Sequence, residues 1–194
     1  YNIPNDFEKI GKLTSGLIDT SKQYFYPIFD EIIVLHEQYA LYIGHNEDIR
    51  EQLSFDKKRV FDYYNEVNFK VKDSFRIYED SPKWVDFRNV SASYIKNSFA
   101  KSSRFYPPTG KYILDIASGP IGLTEYLNLS EGYEYRVCVD ISINALIQAK
   151  INLEHANQQG IYICGDITNI PIKNDPRCRR FIIGGLLGKS KKNR

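Results

Sequence analysis

The feature that most constrains the fold is residues 112–122, where an apolar segment gives way abruptly to small residues. Tyr112 to Asp115 is typical of the end of a buried strand. Ala117, Ser118 and Gly119 follow, and a Pro-Ile-Gly sequence comes next. Small residues after a strand let a ligand approach the backbone, and the N–H groups of a following helix would face the same ligand. The stretch therefore predicts a ligand site at a strand-turn-helix junction.

Strand and helix patterns alternate after the Pro-Pro-Thr-Gly boundary at 107–110. The predicted elements, in chain order, are a strand at 112–116, a helix at 121–129, a strand at 135–140, a helix at 142–157 and a strand at 161–164. Ser142 is placed to act as the N-cap of the second helix. This alternation predicts an α/β fold with a Rossmann-like parallel sheet.

Three acidic residues stand at or just beyond the ends of the three predicted strands: Asp115, Asp140 and Asp166. The intervals between them each have the length of one strand-helix unit. Ligands of open α/β sheets bind beyond the carboxyl ends of the strands. A carboxylate there can accept both hydrogen bonds of a ribose diol, so the three acids predict a nucleoside-binding edge.

At these residues the chain resembles the class I S-adenosylmethionine-dependent methyltransferases. Their first motif is a strand ending in hydrophobic-Asp/Glu-hydrophobic-Gly-x-Gly-x-Gly, and residues 114–122 fit it with Ala117 in place of the first glycine. Residues 137–142 resemble the second motif, and residues 165–175 resemble the third. The resemblance covers residues 107–175 and implies an incomplete Rossmann-like domain.

The resemblance implies S-adenosyl-L-methionine as the cofactor and gives each site residue a role. The small-residue loop would pass under the methionine part, Asp140 would hold the ribose hydroxyls, and Asp166 would meet the adenine N6 with Ile167 packed on the base. Asp115 would orient the cofactor through the loop and water. The implied cofactor-binding residues are Asp115, Ala117, Ser118, Gly119, Asp140, Ile141, Asp166 and Ile167.

The implied activity is transfer of a methyl group to a small-molecule acceptor. Such a reaction needs alignment of a nucleophile and, for a hydroxyl or a protonated amine, a general base. His36 and His45 are the candidate bases, although a lone histidine is more often structural. No catalytic residue and no metal ligand is assigned.

Residues 1–106 are predicted to form a helical N-terminal segment that caps the cofactor. Apolar and aromatic residues recur at offsets of three and four over 17–43, with Gly44 as a C-cap and Pro27 as a kink or a helix start. Further helices are predicted from Asp56, as N-cap, to about residue 71 and over 91–102. The predicted division is therefore a cap at 1–106, a cofactor-binding half-domain at 107–176 and a basic tail at 177–194.

Charge is distributed unevenly along the chain. The formal net charge is +2, but residues 177–194 carry seven basic side chains and no acid, so the rest of the chain is net acidic. An acidic body is a poor surface for nucleic acid, which disfavours a nucleic-acid partner. The Asn/Asp-Pro-Pro-aromatic tetrad of base amino-methyltransferases is also absent from the sequence.

Other features predict a cytoplasmic protein without a membrane span. The sequence has no apolar run near the roughly 18 residues that a transmembrane helix requires, and no signal peptide is visible. Cys138, Cys164 and Cys178 show no metal-ligand spacing, and the first two lie in apolar segments where reduced, buried thiols are expected.

The family pattern breaks after Asp175, where the acid expected after Phe181 is absent. A residual strand is predicted at 181–183, and the chain, which contains no Met, is expected to be a truncated or partial form whose activity is open. Two alternatives stay open: an NAD(P)-dependent Rossmann oxidoreductase and a non-catalytic cofactor-binding or interaction module. A nucleotide-triphosphate loop at 184–190 is disfavoured because only three residues separate its glycines, where four are required.

Overall fold

The computed structural model describes residues 12–36, 39–45, 54–72, 74–80, 97, 101, 104 and 107–169. Two 3-10 turns, at Asn128–Ser130 and Ile167–Asn169, accompany the helices and strands of this part of the chain. The helices and strands are β1 (Leu13–Ile18), β2 (Tyr24–Phe29), β3 (Ile32–Val34), β4 (Leu41–Tyr42), α1 (Phe55–Glu66), β5 (Phe69–Lys72), β6 (Phe75–Tyr78), β7 (Gly110–Ile116), α2 (Thr124–Leu127), β8 (Tyr133–Asp140), α3 (Ile143–His155) and β9 (Gly160–Cys164).

Seven of the described strands form one sheet in the order β1-β2-β3-β9-β8-β7, with β4 paired to β2 beside this path. The strands β3, β9, β8 and β7 are parallel, whereas β1, β2 and β4 add an antiparallel extension. The strands β5 and β6 form a separate antiparallel hairpin. The architecture confirms the predicted fold class, an incomplete Rossmann-like α/β fold.

The elements predicted after residue 107 are confirmed with small changes at their ends. All three strands are present, and α3 begins after Ser142, whose hydroxyl accepts a hydrogen bond from Ala145 N at 3.1 Å. The first predicted helix is shorter than expected, because only α2 and the 3-10 turn that follows it are helical there. Helix α3 packs on the sheet through the buried side chains of Ile143, Leu146, Ala149 and Leu153.

The prediction of a helix over 17–43 is wrong, because this segment contains the end of β1 and the strands β2, β3 and β4. A left-handed turn at Asp30 and Glu31, with φ of 42° and 73°, reverses the chain between β2 and β3. Burial alternates along β3, where Ile32 and Val34 are buried. An apolar run this short fits the periodicity of a helix as well as that of a strand, so the pattern alone did not distinguish them. Gly44 follows β4 and is not a helix C-cap.

Pro27 lies within β2, opposite Gly16 of β1, and not at a helix kink. The second predicted helix is confirmed as α1, but its N-cap is Ser54 and it ends at Glu66, because the next residues form the β5–β6 hairpin. Three predictions fall outside the described residues. They are the third helix at 91–102, of which only positions 97 and 101 are described, the strand at 181–183 and the basic tail. The division of the chain at residue 106 stays a prediction.

A buried ion pair joins the two strands at the end of the parallel sheet. The Asp115 carboxylate on β7 accepts hydrogen bonds from Arg136 on β8, at 3.0 Å from Nε and 2.8 Å from Nη2, and both side chains are fully buried. Arg136 Nη1 also donates to the carbonyl of Tyr126 and the hydroxyl of Ser130, at 2.8 and 3.0 Å. The Tyr126 hydroxyl donates to the other Asp115 oxygen, so the network ties α2 and its following turn to the sheet.

Replacing one member of this pair should destabilise the fold strongly. We expect Arg136→Leu to lower the free energy of unfolding by about 3–5 kcal/mol, because it leaves the Asp115 carboxylate buried without its cation. The double variant Asp115→Leu/Arg136→Leu should be more stable than Arg136→Leu alone. Urea unfolding followed by circular dichroism measures both, and a double variant no more stable than the single one would contradict the account.

Candidate functional site

The four parallel strands end at one edge of the sheet, and the loop after β7 is the most distinctive part of that edge. Ala117, Gly119 and Ile121 have φ of 55°, 57° and 52°, and Ser118 N donates to the carbonyl of Val139 at 3.2 Å. The loop therefore folds back over the end of β8. A left-handed conformation costs an L residue roughly 1–2 kcal/mol, a strain that a glycine in place of Ala117 would not carry.

Asp140 links the three loops of this edge. One carboxylate oxygen accepts a hydrogen bond from Gly119 N at 2.8 Å, and the other accepts from Ser142 N at 2.9 Å. Its backbone carbonyl accepts from Gly165 N at 2.9 Å. Burial raises the pKa of Asp140, while the hydrogen bonds from Ser142 N and Gly119 N oppose that rise. Asp140 therefore holds the loop after β7 against the start of α3.

Two features beside Asp140 suit a bound ligand. The hydroxyl of Ser118 is buried, with the residue 4% exposed, and makes no hydrogen bond within the described residues. A buried hydroxyl without a partner is unusual in a native structure. Gly165 is also buried, yet a side chain at this position would meet no atom of the described residues within 4 Å. An unsatisfied hydroxyl and local free space thus lie on the same edge as the Asp140 carboxylate.

Asp166 reaches the same edge but already has a cationic partner. Lys57 Nζ, from α1, lies 2.7 Å from its carboxylate, and Thr168 donates to it through both N–H and hydroxyl at 2.8 Å. Burial acts to raise the pKa of Asp166, but these hydrogen bonds and the Lys57 charge outweigh it and lower the pKa to about 2. The next residue, Ile167, is 51% exposed. Asp166 is therefore ionised and only partly accessible.

The structure separates Asp115 from the other predicted site residues. Asp115 lies beneath the loop, fully buried, with both carboxylate oxygens engaged by Arg136 and Tyr126. It ties β7, the strand that leads into the loop, to Arg136 and Tyr126 and has no exposed surface for a ligand. The residues that the structure does bring to the carboxyl edge are Ala117, Ser118, Gly119, Asp140, Ile141, Asp166 and Ile167.

The N-terminal segment contributes residues to this edge that the sequence patterns did not reveal. A side chain at Gly119 would begin 3.4 Å from a ring carbon of Tyr78 and 3.5 Å from its hydroxyl, so Tyr78 packs on the loop. The carbonyl of Tyr64 accepts from the Ser142 hydroxyl, and that of Asn65 accepts from Asn144, both at 2.7 Å. The sequence patterns did not single out Tyr78, and only the fold places its ring at the edge.

Asn152 fixes the β5–β6 hairpin against the loop. Its buried side chain accepts from Arg76 N at 2.8 Å and donates to the carbonyls of Arg76 and Pro120 at 2.7 Å. Gly122 lies so close to the hairpin that a side chain there would begin 2.3 Å from the Arg76 carbonyl oxygen. A single buried amide and a close backbone approach therefore determine where Tyr78 lies.

The two histidines proposed as general bases lie in different surroundings. His36 follows β3 and is 2% exposed, with its ring centre 5.0 Å from that of Phe61. Burial lowers the pKa of His36, while the nearby Asp166 carboxylate opposes that change. His45 follows β4 and is exposed. The buried His36 ring packs against Phe61, which is the contact expected of a core residue.

No protein-family model and no curated protein matches the chain. Among solved structures, the chain is similar to the complex of aTrm5 and tRNALeu, with 10% sequence identity and a TM-score of 0.34. The similarity covers 87% of this chain and 52% of that one, so the chain spans about half the length of that protein. At this identity and TM-score the likeness identifies neither an activity nor a substrate nor a residue role for this chain.

This comparison contradicts the predicted partners. The similar structure is a complex with a tRNA, against the expectation of a small-molecule acceptor with nucleic acid disfavoured. Net charge does not report local charge, so the acidic balance of residues 1–176 gave no ground for that exclusion.

In the described part of the chain, no helix has the length and hydrophobicity needed to cross a membrane.

The Lys57–Asp166 contact can be tested by titration. We expect the Asp166 carboxyl to titrate near 2 in the native protein and to move towards its ordinary value near 3.9 in Lys57→Ala. Because the folded pKa is depressed, the stabilisation from this contact is complete above the unfolded pKa and is lost as the pH falls through the folded pKa. Carboxyl carbon NMR measures the shift, with Lys58→Ala as the matched control, since Lys58 pairs with Asp62 instead. An unchanged Asp166 pKa in Lys57→Ala would contradict the account.

Proposed function

We propose that this chain binds S-adenosylmethionine at the carboxyl edge of β7, β8 and β9, as the cofactor-binding part of a class I methyltransferase. The observation that carries the proposal is the buried hydroxyl of Ser118, which has no hydrogen-bond partner in the described part of the chain and lies in the loop that the Asp140 carboxylate holds. A ligand with hydrogen-bonding groups would satisfy this hydroxyl. The resemblance of residues 114–122 to the first methyltransferase motif indicates which ligand that is.

The residues of the edge fit this cofactor. Each oxygen of Asp140 accepts one backbone N–H and keeps further acceptor capacity, so the carboxylate can also accept from two vicinal ribose hydroxyls. Gly119 has no side chain and a φ of 57°, which lets a ligand lie against the loop backbone. When bound, the cofactor supplies a methyl group on a sulfonium, which is already a good electrophile. The chain's own residues therefore need only to bind, orient and exclude water.

The adenine end of the proposed site involves Asp166 and Ile167. The Asp166 carboxylate is 21% exposed. Lys57 Nζ donates to its Oδ2, and the N–H and hydroxyl of Thr168 both donate to its Oδ1, so the remaining acceptor capacity is on Oδ2. Its remaining acceptor capacity can receive an amino group of a base. The exposed side chain of Ile167 offers an adjacent apolar surface for packing. This part of the proposal rests on the resemblance more than on an unsatisfied group.

Calorimetric titration of S-adenosylmethionine into the protein tests the proposal. We expect binding to the wild type and weaker binding to Ser118→Ala by about three- to tenfold, the usual range for one lost hydrogen bond. The stability of Ser118→Ala should be unchanged, because its hydroxyl makes no hydrogen bond within the described residues. Asp140→Ala should abolish binding, although it also loosens the loop.

Glu154→Ala is the matched control, since it removes an exposed carboxylate from the far end of α3. It should bind as the wild type does. NADH serves as the second ligand, because an oxidoreductase would use the same acid after β8 for its ribose. Binding of NADH without S-adenosylmethionine, or no binding by a folded wild type, would overturn the proposal. Unchanged affinity in Ser118→Ala would remove the observation that carries it.

A further inference from the structure

Helix α1 is tied at both of its ends to the carboxyl edge of the sheet. At its C-terminal end, the carbonyl of Tyr64 accepts a hydrogen bond from the Ser142 hydroxyl, after β8, at 2.7 Å. At its N-terminal end, Lys57 Nζ lies 2.7 Å from the Asp166 carboxylate, after β9. The helix therefore carries Lys57 to the part of the edge that the proposed function assigns to adenine.

A closed ring of hydrogen bonds holds the Lys57 ammonium there. Lys57 Nζ donates to Asp166 Oδ2 at 2.7 Å and to the Thr168 hydroxyl at 2.9 Å. The hydroxyl and N–H of Thr168 donate in turn to Asp166 Oδ1, both at 2.8 Å. An ammonium has three N–H donors, so one is left after the two contacts that Lys57 makes within the described residues. The ring thus presents a donor on Lys57 directly beside the acceptor capacity of Asp166 Oδ2.

The contact between Lys57 and Asp166 contributes little to holding the fold together. The side chain of Lys57 is 48% exposed and that of Asp166 is 21% exposed. Ion pairs this open to water contribute little to stability. Replacing the lysine should therefore leave the protein folded, so that an effect on a ligand can be measured separately from an effect on folding.

A donor beside an acceptor matches the hydrogen-bonding pattern of adenine. A carboxylate by itself accepts from an amino group and makes no contact that identifies the rest of the base. In adenine, a ring nitrogen that accepts hydrogen bonds stands on each side of the N6 amino group, N1 on one side and N7 on the other. The amide of Asn or Gln recognises adenine in DNA by accepting from N6 while donating to N7. Asp166 and Lys57 offer the same pair of groups from two side chains.

We propose that Lys57 and Asp166 together recognise the adenine of the cofactor, the carboxylate accepting from the N6 amino group while Lys57 Nζ donates to N1 or N7. This inference rests on the proposed function and adds a specificity residue from the N-terminal segment, outside the three motifs. The spacing supports it, because 2.7 Å between Nζ and Oδ2 lets the two groups meet neighbouring atoms of one base.

The experiment measures calorimetric affinities for S-adenosylmethionine and for its 1-deaza and 7-deaza analogues. Both analogues keep the N6 amino group, and each lacks one of the two ring nitrogens. In the wild type, one analogue should bind about three- to tenfold more weakly than S-adenosylmethionine, the usual range for one lost hydrogen bond.

Lys57→Met keeps a long side chain without a donor. It should bind S-adenosylmethionine more weakly by a similar factor, and the difference between S-adenosylmethionine and that analogue should shrink to within about twofold. Lys58→Met is the matched control, because Lys58 pairs with Asp62. It should keep the wild-type pattern.

Measurement at neutral pH separates this role from an effect on Asp166. The pKa of the Asp166 carboxyl is about 2 in the native protein, and without Lys57 it should move only towards its ordinary value near 3.9. The carboxylate is therefore ionised at neutral pH with or without the lysine. If Lys57 acted only by holding Asp166, its replacement would weaken S-adenosylmethionine and both analogues alike.

Each outcome decides the proposal. Equal affinities of the wild type for all three ligands would overturn it, as would a loss for the analogue that persists undiminished in Lys57→Met. Should Lys57→Met fail to fold, as judged by circular dichroism, Lys57→Ala takes its place in the same comparison. If the folded wild type binds none of the three ligands, the proposed function fails together with this inference. If it binds all three alike, this inference alone fails.

Discussion

The buried ion pair between Asp115 and Arg136 is the interaction on which the geometry of the site depends. It joins β7 to β8 directly below the loop at 117–121, and the same guanidinium holds the carbonyl of Tyr126 after that loop. The loop is therefore anchored on both sides, through β7, which precedes it, and through α2, which follows it. Buried pairs of this kind add little net stability but are very unfavourable when one partner is missing. We infer that the pair specifies the position of the loop more than it strengthens the fold.

Asp140 extends this arrangement from the sheet to the surface of the site. Its two oxygens join Gly119 in the loop to Ser142 at the start of α3, and its carbonyl receives Gly165 after β9. The β5–β6 hairpin lies against the same loop, through the Asn152 side chain that links Arg76 to Pro120 and through the Tyr78 ring. Asp140 therefore organises the edge in addition to its proposed contact with a ligand. At this edge, the hydroxyl of Ser118 is a buried group that no hydrogen bond within the described residues satisfies.

Local patterns predicted the C-terminal part of the fold and missed most of the N-terminal part. Residues 107–169 carry strong signals, since apolar runs ending in Asp115 and Asp140 and the Ser142 cap each favour one element. Residues 17–43 carry apolar residues at offsets compatible with helix or strand, and the pairing of β3 with β9 decides between them. Arg136 was detectable as a charge within an apolar strand, opposite the strand that carries Asp115. The pairing of Lys57 with Asp166 spans 109 positions of sequence, and no local pattern predicts such a contact.

The central claim is that the carboxyl edge around Asp140 binds S-adenosylmethionine, and its location on the molecule is the most direct test. Amide NMR spectra recorded during titration of this cofactor report which residues meet it. The account predicts that the amide signals of Ser118, Gly119 and Ser142 shift together, while those of Gln158 and Gly160 at the opposite end of the sheet stay in place. Shifts confined to that opposite end, or no shifts in a folded protein, would contradict it.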